Sequence, residues 1–79
     1  MTDEEAIQLI RKSINSVIQG AGDSISFETD LVKDGIIDSL DSMSFLFELE
    51  ALLGKTIDEI DEKFLDFRVS TLSDIIKRV

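Results

Sequence analysis

Residues 39–54 read SLDSMSFLFELEALLG, and they set the architecture expected of the chain. The run predicts a helix from about Ser39 to Leu53, ended by Gly54. At about 100° per residue, its polar side chains Asp41, Ser44 and Glu48 share one narrow stripe. Leu40, Met43, Phe45, Leu46, Phe47, Leu49, Leu52 and Leu53 cover most of the remaining circumference. A helix apolar on most sides is one that other elements surround. The expectation is therefore an all-α bundle with this helix at its centre.

Upstream, a first helix is expected from Thr2 to about Ile18. Thr2 and Glu5 have capping-box spacing, and Asp3 and Glu4 suit the positive end of the helix dipole. Ile7, Ile10, Ile14, Val17 and Ile18 recur at helical intervals, and Gly20 and Gly22 stop the run. Residues 19–38, QGAGDSISFETDLVKDGIID, then form a long connection. Its Ile25, Phe27, Leu31, Val32, Ile36 and Ile37 predict docking on the helices, and Gly35 a tight turn. An ordered loop of such length is often functional.

Downstream, Ile57, Ile60, Phe64 and Phe67 within residues 55–69 fit a short helical turn around residues 61–66. A last helix is capped by Ser70 or Thr71, repeats Leu72, Ile75, Ile76 and Val79, and places Lys77 and Arg78 at its negative end. Residues 1–79 thus make one domain, a small three-to-four-helix bundle with a long ordered loop between its first and second helices.

Composition narrows the function. The 79 residues contain no Cys and no His, so no zinc site of the usual kind and no Ser-His or Cys-His nucleophile can be assembled. The chain is expected not to be an enzyme; chemistry would come from a partner or an attached group. Seventeen Asp and Glu against eight Lys and Arg give a net charge of −9. That charge disfavours nucleic acid and anionic membrane, and favours basic protein surfaces. No charged-then-apolar leader and no apolar run near membrane length is found, which predicts a cytoplasmic protein with no membrane span; a monomer is expected.

The chemistry centres on LVKDGIIDSLDSMSFLFELE, residues 31–50. Here a serine stands at the mouth of a helix, after an ordered loop and between Asp38 and Asp41. A helix N-terminus offers unpaired N–H groups and a positive dipole end, which suit a phosphate ester. Read alone, Asp-Ser-Leu is an ordinary N-cap and proves nothing more, since serine is among the commonest capping residues.

In its wider setting the chain resembles the acyl carrier protein family. The resemblance covers nearly all of it: an amphipathic first helix, a loop ending DLVKDGIIDSL, the helix SLDSMSFLFELEALLG, a variable segment and a closing STLSDIIKRV helix. It implies an acyl-carrier type of bundle in which Ser39, flanked by Asp38 and Leu40, is the attachment point of 4′-phosphopantetheine. A phosphopantetheinyl transferase would install the arm from coenzyme A. Its thiol would carry acyl intermediates as thioesters to enzymes of fatty acid, polyketide or specialised metabolite synthesis. The resemblance further implies that Asp38, Asp41 and Glu48 dock basic patches on acyl-loading and acyl-processing enzymes; the plainer reading is a solvated helix face. Ser44 and Ala51 stand where such carriers are often acidic, and the GIIDSL ending resembles more closely specialised carriers, including those loading D-alanine or polyketide units.

Three other readings stand beside this one. Met43, Phe45, Phe47 and the leucines either line an acyl pocket or, more simply, pack the core; bulky phenylalanines filling that space would suit a short or polar cargo. Asp58, Glu59, Asp61, Glu62 and Asp66 suggest calcium, but DEIDEKFLDF lacks the ligand order and the glycine of an EF-hand loop. An acidic helical interaction module without a prosthetic group shares the charge and the helices, and makes no use of Ser39.

Overall fold

The computed structural model describes residues 1–60 and 63–79. It contains three α-helices, α1 (Asp3–Val17), α2 (Asp41–Leu53) and α3 (Val69–Lys77), with a 3₁₀ turn at Ala21–Ser24. Among the described residues there is no β-strand, only one isolated antiparallel bridge between Asp30 and Arg68. The all-α class and the long loop are as expected.

α1 begins as its sequence dictates. The Thr2 hydroxyl accepts the Glu5 N–H at 3.2 Å and the Glu5 carboxylate accepts the Thr2 N–H at 3.0 Å, closing a reciprocal capping box. The N–H contact holds the Glu5 carboxyl below its ordinary range. Ala6, Ile7, Ile10, Ser13 and Ile14 form the buried stripe, Val17 is half-buried, and Ile18 lies outside it. Ser13 is tolerated inside because its hydroxyl donates to the Leu9 carbonyl at 2.9 Å.

This helix, not α2, is the hub. α1 approaches α2, the 3₁₀ turn and α3 closely, whereas the α2 and α3 backbones make no such close approach to one another. The expectation of a surrounded α2 is corrected accordingly. Only Ser42, Phe45, Leu46 and Leu49 of α2 are buried, one stripe facing α1. Leu40, Met43, Phe47 and Leu52 are exposed. The two outer helices flank α1 instead of enclosing α2, so apolar content in α2 exceeds the surface available to cover it.

The loop is held down along its length. Arg11 of α1 donates to the carbonyls of Gly22, Asp23 and Ile25, each at 3.1 Å, and the Asn15 side chain accepts the Gly22 N–H at 2.8 Å. Gly22 is required for close approach: a Cβ there would stand 2.5 Å from the Arg11 carbonyl oxygen. Gly20, with φ of 82°, makes the turn out of α1. Farther on, Ile25, Leu31 and Ile37 are buried, and Phe27, Val32 and Ile36 pack half-buried against them. Backbone bonds Leu31 N–H to Phe67 O (2.9 Å), Val69 N–H to Thr29 O (2.9 Å) and Ser70 N–H to Phe27 O (3.1 Å) tie the loop to the start of α3.

α3 starts at Val69, earlier than Ser70 or Thr71 capping would give, and neither residue caps it. The organising group is Asp66, which accepts from the Arg68 N–H (3.2 Å), the Arg68 guanidinium (2.9 and 2.7 Å) and the Thr71 hydroxyl (3.2 Å). The Arg68 hydrogen bonds hold its carboxyl well below the usual carboxylate range. The helical turn expected around residues 61–66 falls partly outside the described residues. Within them, Lys63 lies in a turn and residues 64–67 are irregular. Lys77 pairs with Asp3 across the molecule and Arg78 with Glu59. Among the described residues, no helix is long and apolar enough to cross a membrane.

Candidate functional site

The segment before α2 is built by paired aspartates. Asp30 accepts the Val32 and Lys33 N–H groups on its carboxylate (3.1 and 2.9 Å), and Asp34 accepts the Asp30 N–H in return (2.9 Å). Gly35, at φ of 78°, turns the chain, and Ile37 N–H returns to Leu31 O at 2.9 Å. With Leu31 and Ile37 buried, both ends of this loop are anchored and residue 38 emerges at the surface.

Asp38 then takes the capping role that Ser39 was able to fill. Its carboxylate accepts the Asp41 N–H at 2.7 Å and its carbonyl accepts the Ser42 N–H at 3.2 Å. The Ser42 hydroxyl donates to the Ser39 carbonyl at 2.6 Å. A turn closed by these groups precedes the regular helix, which is why α2 begins at Asp41 and not at Ser39. The Ser39 side chain is left exposed, with no hydrogen bond among the described residues. The backbone N–H groups of Ser39 and Leu40 likewise meet no acceptor there.

Ser39 also lines a groove of about 230 Å³. Val32 from the loop and Ser42 and Met43 from the start of α2 form one part of it, and Phe64, Leu65 and Phe67 the other. Phe64 and Phe67 meet edge to face, their ring centres 5.8 Å apart. The Asp66 contacts described above hold this wall in place. Leu65, 83% exposed, stands beside the opening.

Of the residues expected to dock partners, Asp38 and Asp41 flank the start of α2 and Glu48 lies about two turns along it. Asp38 and Glu48 are exposed and Asp41 is half-buried. One carboxylate oxygen of Asp38 is committed to the Asp41 N–H, so its outward charge is partly used internally. Leu40, 83% exposed, and Phe47, 63% exposed, stand among these acids. Residues 34–54 contain five acidic side chains and no Lys or Arg. The face is therefore mixed, acidic and apolar, where the sequence pattern had placed Met43 and Phe47 inside. Ser42, committed to the Ser39 carbonyl, is a further site residue; its position three after Ser39, one helical turn on, is the signal that identifies it.

Among the described residues no group of three or more Asp or Glu side chains is placed to hold a metal ion. Glu59 and Asp66 are each paired with an arginine. Comparison with family models, with characterised proteins and with solved structures finds no match to this chain.

Proposed function

We propose that this chain is a carrier protein of acyl-carrier type, with Ser39 as the attachment point of a 4′-phosphopantetheine arm taken from coenzyme A. The observation that carries the reading is the state of Ser39. Its hydroxyl is exposed and unbonded because Asp38 has taken over the capping of α2. A serine that served only to begin the helix would spend its oxygen on the N–H that Asp38 binds.

The residues around it suit a phosphate ester. The unpaired N–H groups of Ser39 and Leu40 and the positive end of α2 can face phosphate oxygens. The nearby carboxylates of Asp38 and Asp41 oppose a negative ester, but at an exposed site the high dielectric of water keeps that repulsion to about 1 kcal/mol per pair. In the modification, the Ser39 hydroxyl gives its proton to a base on the transferase and forms the new ester bond to phosphorus as 3′,5′-ADP leaves. The arm supplies a thiol that holds an acyl or aminoacyl group as a thioester. This chain's own residues present the attachment point and are recognised. Asp38 keeps the hydroxyl outward, while Asp41 and Glu48, with the apolar side chains between them, meet partner enzymes with basic surfaces. Binding of that kind is fast and weakens as salt rises.

The mixed face of α2 also favours a second reading, an interaction module with no prosthetic group. Ser39 separates the two. Incubation with coenzyme A, a divalent metal and a broad-specificity phosphopantetheinyl transferase is expected to raise the intact mass by one arm, and Ser39→Ala to prevent it. No rise with wild type would leave the interaction module.

A further inference from the structure

The groove at Ser39 is small, and it touches the core only at its edge, through Phe67 and Ser42, which are 6% and 8% exposed. None of the fully buried core side chains, Phe45, Leu49, Leu72 and Ile76 among them, belongs to its lining. Phe45 is the largest of these and is fully buried. Cores are packed to crystal-like density, so admitting an alkyl chain would mean displacing such residues.

Size gives the second constraint. A cavity of about 150 Å³ holds one benzene ring, so on that scale the groove of about 230 Å³ takes roughly nine non-hydrogen atoms. That is fewer than half of those in a phosphopantetheine arm. Whatever is tethered at Ser39 therefore fills the groove with its own first part before any cargo is reached. The lining suits such a tenant: Val32, Met43 and Leu65 offer apolar contact, and the Ser42 oxygen, whose proton is given to Ser39, keeps lone pairs for an N–H or O–H of the arm.

Resting on the carrier reading above, we infer that the groove seats the proximal part of the arm and that the cargo rides outside the bundle. A long alkyl chain left in water is disfavoured by every added methylene. The cargo class that fits is a short or polar acyl or aminoacyl group.

Because the chain has no cysteine, Ser39→Cys gives a single thiol that accepts ethyl, octyl or dodecyl iodoacetamides without any transferase. In parallel, wild type is loaded by the transferase with the bare arm and with acetyl, octanoyl and dodecanoyl arms. Amide chemical shifts and Tm are read for each form. The expected result is shifts at Val32, Ser42, Met43 and Leu65 in the arm-bearing forms, the same for every cargo. Phe45, Leu49, Leu72 and Ile76 stay unshifted, and Tm is independent of chain length in both series. Core shifts and a Tm that climbs from ethyl to dodecyl would overturn the inference, as would an arm that leaves the groove residues unmoved. Failure of the carrier reading shows separately, as wild type that gains no mass, while the alkylated series still decides whether a chain enters the core.

Discussion

The two helix starts of this molecule use the same spacing to different ends. At α1, Thr2 and Glu5 bind each other's N–H groups, and the Ala6 N–H returns to the Thr2 carbonyl at 2.9 Å. At α2, Asp38 binds the Asp41 N–H three residues on, but nothing reciprocates, and the residue after the cap, Ser39, carries an unbonded hydroxyl. Both starts leave the two N–H groups after the cap unpaired, those of Asp3 and Glu4 at the first and of Ser39 and Leu40 at the second, but the first is capped from both sides and serves stability. The second is capped one residue early, and what it leaves open is available to a ligand.

The contrast implies that damage on the α1 side costs stability, whereas change at the α2 mouth costs recognition. The largest effect is expected from Ile10→Ala, fully buried in the hub helix. It should lower unfolding free energy by about 2–5 kcal/mol, measured by urea titration, while the folded fraction is still modified at Ser39. Next come the two caps. Thr2→Ala and Asp38→Ala should each cost about 1 kcal/mol, but only Asp38→Ala should slow the transferase. Equal slowing by both would mean that the open start has no special role.

A smaller effect is expected from acid. The Arg68 hydrogen bond holds the Asp66 carboxyl below its ordinary range in the folded chain, so the unfolded chain binds this proton first as pH falls. The contribution is complete above about pH 4, the unfolded value, and is lost as pH drops toward the folded value. The pair is partly exposed, so the slope is shallow. Tm measured from neutral pH into this acid range should fall less steeply in Asp66→Asn than in wild type. The smallest effect belongs to Phe47→Ser: stability should stay within about 0.5 kcal/mol, because the ring is 63% exposed. A loss like that of Ile10→Ala would place Phe47 in the core after all.

Local signals in the sequence were the legible ones. The capping box, the end of α2 at Gly54 and the docked loop residues Ile25, Leu31 and Ile37 all follow from short-range chemistry. The burial of α2 did not, because apolar content states what a helix can bury, not how many neighbours reach it; α1 took the hub position with a narrower stripe aided by Ala6 and Ser13. The Arg11 contacts to residues 22, 23 and 25 join distant positions and leave no periodic trace. Asp66, a loop residue before α3, was hidden by the more conventional capping choices Ser70 and Thr71. Of the site, Ser39 was readable from its place before an apolar run. That Asp38 frees it by capping in its stead is decided by the folded loop, since either residue has the chemistry to cap.

Cleavage after Lys33 and Lys55 releases residues 34–55 as one peptide holding Ser39, Ser42 and Ser44. Fragmentation of that peptide by mass spectrometry, after reaction with coenzyme A and a transferase, locates any arm to a single hydroxyl. The arm is expected on Ser39 alone. An arm on Ser42 or Ser44, or a peptide that carries none, would contradict the role assigned to the open end of α2.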